Sequence, residues 1–391
     1  MQNKDRPLSR HKLLIDCVKN LKIEFKHFTY NLLFKLILKK MKKHILIILI
    51  TVFSLSLLIA QKKDSIIVIE STEHRAEQLY NNAVNSYNEK AYTEAINFLQ
   101  LSIAENKTFS DAYFLLAVIY TENNNKPQAI KTLNDYILKS EFKDTAYYLI
   151  GKIYYEDKQY DSAITYLSNS IQSNPKYYQS YYLQSIICFE KAQYEDAIIN
   201  LTKVIEIQPN FAHAFNDRGS AKRMLEKYDE AIEDYSLAIV IDKKAIYYNN
   251  RGSVKMKIEK YKEAIDDYSA AIVLDSNYYI ALNNRGVAKI EIKDYKGAIA
   301  DFDLCLDKQK NYYSAISNRG IAYYKSKRYN EAIADFDTLI AVNPSDGTSY
   351  LHRGNTKEMI RDKEGACQDW QKAADLGIDI AKNYVKNQCN Q

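Results

Sequence analysis

Apolar and small residues recur with a period of about 34 residues along most of this chain, and the pattern within each period predicts two helices. In the period 279–312, apolar or small side chains follow helical spacing over 280–289 and again over 295–306. The polar stretch 291–294 separates the two segments. Tyrosine opens the second predicted helix in seven of nine periods. Each period is therefore predicted to form one helix–turn–helix unit.

Two small residues mark every unit. An alanine in the second predicted helix recurs every 34 residues, with a single interval of 33: Ala95, Ala129, Ala163, Ala197, Ala231, Ala264, Ala298, Ala332 and Ala366. Twelve residues earlier stands another small residue: Ala83, Ala117, Gly151, Ser185, Gly219, Gly252, Gly286, Gly320 and Gly354. These positions let the two helices of a unit approach closely. Neither helix buries its apolar stripe alone, so the units are expected to stack.

This arrangement resembles the tetratricopeptide repeat (TPR) family over about residues 76–380. The resemblance implies an all-α, right-handed superhelical solenoid of nine helix–turn–helix repeats: 76–109, 110–143, 144–177, 178–211, 212–244, 245–278, 279–312, 313–346 and 347–380. The family has an aromatic residue four positions after the recurring alanine of the second helix. Only the later units match it, with Tyr235, Tyr268, Phe302, Phe336 and Trp370. The first four units have Leu99, Leu133, Leu167 and Leu201 there. Residues 381–391 are predicted to form a capping helix.

The amino-terminal 60 residues differ from the rest in charge. They carry a net charge of +9, and the remaining 331 residues carry −4, which argues against a nucleic-acid partner. Met41 is followed by Lys42, Lys43 and an uncharged apolar run over 45–60, which indicates a signal peptide at 41–60 removed after Ala60. The alternative is a membrane anchor through 45–60, although the run is shorter than a comfortable span. Residues 1–40 are interpreted as an upstream extension or disordered leader, and 61–75 as a linker.

An exported chain would enter an oxidising compartment, where disulfides persist. Cys188 and Cys305 fall on packing positions and are expected to be small core residues. Cys367 and Cys389 could pair if the tail folds back, or both could stay unpaired.

The later units share a pair of charges that the earlier units lack. In units five to nine an arginine precedes the small residue and an aspartate follows sixteen residues later: Arg218 and Asp234, Arg251 and Asp267, Arg285 and Asp301, Arg319 and Asp335, Arg353 and Asp369. We expect a partly buried ion pair between the two helices of each unit. The alternative is a row of anion-binding arginines. Asn250, Asn284 and Asn318 match one position of a carboxylate clamp known in a TPR subgroup, but the lysines of that clamp are missing, so chaperone-tail binding is not predicted.

First helices of TPR proteins line the concave face, and the resemblance therefore implies an aromatic groove in units one to four. The residues expected to bind a peptide there are Tyr80, Tyr87, Phe114, Tyr148, Tyr155, Tyr182 and Phe189. We expect Tyr148, Tyr155 and Tyr182 to lie at the surface, so that truncating Tyr148 and Tyr182 would abolish capture and spare the fold. Because the chain contains 34 tyrosines, composition alone could also place several of them on this face.

The sequence gives no catalytic constellation. His74, His213 and His352 lie in widely separated units with no metal-ligand spacing, and the glycines are isolated packing positions. The expected function is a non-enzymatic scaffold without metal or cofactor, which binds a protein or peptide in its concave groove. The composition and leader suggest a bacterial protein, either periplasmic or associated with the cell envelope. The alternatives are an accessory or sensor subunit of an envelope enzyme, or a component of a glycan-handling complex.

Overall fold

The computed structural model describes residues 72–389, which form an all-α solenoid of paired helices, as expected from the sequence. The expected extension 1–40, the signal peptide 41–60 and most of the linker lie outside the described residues. In the nine units, odd-numbered helices are the first and even-numbered helices the second, and a nineteenth helix follows the last unit. They are α1 Thr72–Asn88, α2 Tyr92–Glu105, α3 Ser110–Glu122, α4 Lys126–Lys139, α5 Asp144–Glu156, α6 Tyr160–Ser173, α7 Tyr178–Glu190, α8 Tyr194–Ile207, α9 Ala212–Met224, α10 Tyr228–Ile241, α11 Ala245–Lys257, α12 Tyr261–Leu274, α13 Tyr279–Glu291, α14 Tyr295–Lys308, α15 Tyr313–Lys325, α16 Tyr329–Val342, α17 Gly347–Met359, α18 Lys363–Asp375 and α19 Asp379–Tyr384.

The turn inside each unit has the same backbone conformation. One residue per turn has a positive φ between 57° and 67°, and none of the nine is glycine: Lys90, Asn124, Lys158, Ala192, Glu226, Glu259, Lys293, Lys327 and Arg361. The left-handed conformation ends the first helix and lets the second helix turn back onto it. Residues other than glycine and asparagine adopt it at an energetic cost, so the packing of the two helices must hold these turns in place.

Glycine and an aromatic ring form the close contact within the later units. Each of the five units with an aromatic residue at that position has glycine opposite the ring. A Cβ atom added at Gly286 would lie 2.6 Å from Cε1 of Phe302, which is too close for any side chain. Units one and two instead pair Ala83 and Ala117 with leucines. Unit three combines Gly151 with Leu167, so every ring at this position faces a glycine, but a glycine does not require a ring.

The short interval between Ala231 and Ala264 comes from the linker between units five and six. Three residues, 242–244, connect α10 to α11, whereas four residues connect the other consecutive units. The residue before the first helix is aromatic at five of the eight junctions between units, but here it is Lys244. The third residue of α11, Tyr247, supplies an aromatic ring at this junction in place of the missing one. The third residue is alanine or serine in α3, α5, α7, α9, α13, α15 and α17. The Tyr247 ring is fully buried and packs edge-on against His213 at 5.9 Å.

First helices form the inner face of the solenoid. The pairs α5 and α7, α9 and α11, α11 and α13, α13 and α15, and α15 and α17 contact each other directly across unit boundaries. Contacts between successive second helices are weaker, so the first helices line one continuous face of the array. The apolar core lies between a unit's two helices and the next first helix, as in the cluster of Leu282, Phe302, Cys305 and Ala315.

The carboxy-terminal tail is joined covalently to the last unit. Cys367 on α18 forms a disulfide with Cys389, which ends a π-helical turn over Val385–Cys389. The ring of Tyr384 packs 5.1 Å from that of Trp370, so the tail covers the end of the core. Cys188 and Cys305 are free and buried, which confirms their assignment as core residues. No helix among residues 72–389 is long and apolar enough to cross a membrane.

Candidate binding groove

Four of the seven aromatic residues assigned to the groove are partly accessible on the first helices. Tyr80, Tyr87, Phe114 and Phe189 are half-buried. Tyr87 also links neighbouring units, since its hydroxyl donates to Glu122 Oε1 at 2.9 Å. These side chains give the inner face of units one, two and four an aromatic character. Whether they bind a peptide stays a prediction.

The expectation that Tyr148, Tyr155 and Tyr182 lie on an open surface is wrong. Their exposed fractions are 2%, 8% and 3%, respectively. The residue preceding the next first helix covers two of them: Tyr177 packs 5.5 Å from Tyr148, and Phe211 packs 5.2 Å from Tyr182. The Tyr155 ring packs against Tyr160 at the start of the second helix. These three tyrosines therefore support the contacts between helices and units.

A row of amide side chains continues the inner face into the later units. Hydrogen bonds join consecutive first helices: Asn250 Nδ2 donates to Asn216 Oδ1 at 2.9 Å, Asn284 Nδ2 to Asn249 Oδ1 at 3.0 Å, and Asn318 Nδ2 to Asn283 Oδ1 at 3.0 Å. We call these six residues the asparagine row. They recur at the fifth and sixth positions of the first helices, so the spacing in the sequence could have revealed them. Asn216, Asn249 and Asn283 are buried, and Asn250, Asn284 and Asn318 are half-buried. The row therefore continues with amide groups a face on which units one, two and four have accessible aromatic rings.

One carboxylate stands at the amino-terminal end of this row. Asp217 occupies the sixth position of α9, where α11, α13 and α15 have Asn250, Asn284 and Asn318. Its Oδ2 accepts a 2.7 Å hydrogen bond from the Tyr182 hydroxyl, and its Oδ1 accepts one from Asn216 at 3.0 Å. Burial raises the pKa of Asp217 to about 6, even though both hydrogen bonds favour the charged form. Asp217 was not among the residues identified from the sequence.

Each arginine of units five to nine lies against the aspartate sixteen residues later. In unit seven, Arg285 Nε and Nη2 donate to the two carboxylate oxygens of Asp301 at 2.9 and 2.7 Å. Its Nη1 donates at 3.1 Å to Ser269 Oγ in the preceding unit. The other four arginines make the same three kinds of contact, with Thr202, Ser236, Asp303 and Asp337 as the partners in the preceding unit. Because these donors are directed into the protein, the geometry favours a structural pair over an external anion site.

A lysine four residues after the arginine completes this network in four units. Lys222, Lys255, Lys289 and Lys357 lie within 2.7–2.9 Å of the aspartate's second oxygen. Unit eight is the exception, because Tyr323 takes the place of the lysine. Burial raises the pKa of Asp335 there, although its bond to Arg319 opposes the rise. The periodic lysines are visible in the sequence and were missed as partners of the pair.

His213, His352 and Cys305 fit structural roles. Burial and Lys244 lower the pKa of His213 to about 4, so its imidazole is neutral at physiological pH. Burial also lowers the pKa of His352, whose ring stacks on Phe336. The pKa of the Cys305 thiol is raised by burial to about 12, which keeps it protonated. Within residues 72–389, no group of three or more histidine, cysteine, aspartate or glutamate residues is placed to hold a metal ion.

Comparison with solved structures supports the solenoid fold. One structure that matches is the carboxy-terminal part of a TPR repeat-containing protein from Cytophaga hutchinsonii. It is 19% identical, the match covers 61% of this chain and 98% of that chain, and the TM-score is 0.54. Another is a tetratricopeptide repeat protein from Parabacteroides merdae, at 16% identity, with coverage of 62% and 97% and a TM-score of 0.49. At 19% identity, the likeness to the Cytophaga hutchinsonii protein concerns the fold alone. A search of curated proteins gave no match.

Family models lead to the same conclusion from the sequence. Models described as tetratricopeptide repeat match residues 87–153, 144–177, 178–211, 249–312 and 313–346. Together these matches span more than half of the chain, and the matches over 144–177, 178–211 and 313–346 each coincide with one unit of two helices. The chain therefore belongs to the tetratricopeptide repeat family.

Proposed function

We propose that this protein is a non-enzymatic scaffold that holds a segment of another protein along the inner face of its solenoid. The observation that carries the proposal is the composition of that face. Half-buried aromatic side chains in units one, two and four are followed by the asparagine row in units five to eight. Aromatic rings supply contact area, and amides can donate to and accept from a peptide backbone. The TPR fold supports a protein or peptide as the partner.

The face of interaction can be tested by site-specific photo-crosslinking. A photoreactive phenylalanine analogue at Phe114 or Phe189 keeps an aromatic ring on the first helices. The matched controls carry the analogue at Val240 or Val273 on second helices, where the side chains are 80% and 85% exposed. We expect crosslinks to a discrete partner from the groove positions only. Adding an excess of this protein without the analogue should reduce the yield of those crosslinks. Crosslinks from the controls alone, or from no position, would contradict groove binding.

Export from the cytoplasm is part of the same proposal. It is supported by Lys42 and Lys43 ahead of the apolar run 45–60, and by the disulfide between Cys367 and Cys389, a bond typical of oxidising compartments. We expect amino-terminal sequencing of the native protein to start at Gln61. An intact Met1 or Met41 on a membrane-bound species would instead indicate an anchor.

A further inference from the structure

A cavity of about 230 Å³ opens between the two helices of unit two and the second helix of unit one. Tyr113, Leu116 and Tyr120 line it from α3, where their spacing places them on one face of the helix. Gln100 lines it from α2, and Thr132 lines it from α4. The seven aromatic residues assigned to the groove do not line it, so the cavity is separate from the proposed peptide site.

In later units, the chain's own side chains occupy the corresponding place. Arg218 of unit five bonds to Asp234 in its own unit and to Thr202 in the preceding one. In unit four, Gln184 Nε2 donates to Ser168 Oγ of the preceding unit at 3.1 Å. Unit two lacks a side chain that makes such a bridge. Its residues at the three positions of the unit-five bridge all line the cavity: Leu116, Thr132 and Gln100.

Unit three shows what fits such a space, because a tyrosine ring fills it there. The Tyr166 ring stacks on that of Tyr154, with the centroids 5.4 Å apart and the planes inclined by 18°. It also packs 6.4 Å from the ring of Tyr147. The cavity of unit two therefore has the position of a stacked ring. Unit two keeps both flanking tyrosines and has a threonine in place of the ring between them: Tyr113, Tyr120 and Thr132.

The walls of the cavity are already in place in the free protein. Tyr113 is 8% exposed, and its hydroxyl donates to the carbonyl of Lys107 at 3.2 Å. The ammonium of Lys139 lies 4.7 Å from the centroid of the same ring. Leu116 and Thr132 are buried as well. A ligand can therefore bind without first ordering these side chains, which avoids an entropic cost.

Four polar side chains without partners of their own surround this wall. Within residues 72–389, no hydrogen bond or ion pair engages the side-chain polar atoms of Gln100, Gln128, Lys131 or Asp135, all of which line the cavity. Two amides, a carboxylate and an ammonium offer both donors and acceptors. An aromatic side chain would cover them without satisfying them, whereas the hydroxyls of a sugar can donate to and accept from each. One cation and one anion leave the lining without net charge, which favours an uncharged ligand.

We propose that this cavity binds one pyranose ring of a carbohydrate. An apolar C–H face of the sugar stacks on Tyr120, in the place that Tyr166 takes in unit three. The hydroxyls at the edge of the ring bond to Gln128, Lys131 and Asp135. The site lies apart from the groove and does not depend on the proposed function.

Saturation-transfer difference NMR with the unmodified protein tests the site. The probes are the methyl pyranosides of glucose, galactose, mannose, xylose and N-acetylglucosamine, together with p-cresol, an aromatic ring without a polyol edge. We expect at least one pyranoside to bind with a dissociation constant on the order of millimolar, which suits a ligand of one ring, and p-cresol to bind more weakly. Absence of binding by every pyranoside, or p-cresol binding as tightly as any of them, would overturn the proposal.

Thr132→Tyr fills the cavity with the ring that unit three has at this position. It should weaken binding of the pyranoside by about tenfold or more, because the new ring occupies the place of the sugar. Its melting temperature should not fall, since tyrosine fits this place in unit three. Thr132→Ser keeps the cavity open and should bind like the unmodified protein.

Asp135→Ala is an independent variant that leaves the cavity open and removes one acceptor. It should weaken binding of the pyranoside severalfold, whereas Asn134→Ala, on the same helix but outside the cavity, should have no effect. Binding that survives Thr132→Tyr, or that Asp135→Ala leaves unchanged, would overturn the site. Photo-crosslinks from Phe114 should persist in Thr132→Tyr, so the sugar site and groove binding can fail separately.

Discussion

Replacing Arg319 with leucine is expected to lower the free energy of unfolding by about 3–5 kcal/mol, because Asp335 would stay buried without a cation. Asp335 is 8% exposed, and Arg319 Nη2 lies 2.6 Å from its Oδ1. Tyr323 stands where other units have a lysine, so within the described residues no second cation pairs with this carboxylate. Thermal and urea melts followed by circular dichroism measure the loss. Hydrogen exchange should rise first in α15 and α16, since each unit contacts only its neighbours.

Unit seven provides the matched control for this prediction. In Arg285→Leu, Lys289 would still hold Asp301 at 2.7 Å, so the loss should be clearly smaller than in Arg319→Leu. Changing both Arg319 and Asp335 to leucine should recover much of the stability, because no buried charge remains. Equal losses in the two single variants would mean that the lysine does not compensate. A silent Arg319→Leu would mean that the pair contributes nothing to folding.

Truncating Tyr148 and Tyr182 to alanine is expected to destabilise the solenoid, by about 3 kcal/mol or more for each ring. Both rings are almost fully buried against aromatic side chains at the entry to the next unit, so each truncation leaves a cavity at a unit boundary. The melting temperature of the double variant should fall, and any loss of partner capture would then follow from loss of structure. Circular dichroism melts of both single variants and the double variant measure this.

The hydroxyl of Tyr182 can be separated from its ring. Tyr182→Phe keeps the contact with Phe211 and removes the hydroxyl that donates to Asp217. It should lose far less stability than Tyr182→Ala. If the double alanine variant instead melts like the unmodified protein, these tyrosines do not support the packing between units.

Several features of this protein could be inferred from spacing because its structure is built from neighbouring units. The 34-residue period, the two helices per unit and the coincidence of Arg218 with Asp234 all depend on contacts that repeat in register. The periodic lysines and the asparagine row were equally visible as repeats. The partners of these side chains could not be inferred from the sequence. A side chain on a first helix can turn towards its own unit or towards a neighbouring one, and spacing does not distinguish the two.

The sequence by itself determined the fold, the unit boundaries and the pairing of charges between the two helices of a unit, because these follow from helical periodicity and from small residues at fixed spacing. Only the tertiary structure decided which first-helix aromatics stay accessible. The rings of Tyr177 and Phe211 reach back over Tyr148 and Tyr182, and helical periodicity does not report how a linker folds over the preceding unit. The structure also decided that, within residues 72–389, Asp217 has hydrogen-bond donors but no ion-pair partner. The partners of a carboxylate depend on everything packed around it, including Tyr182 on α7, which is distant in sequence.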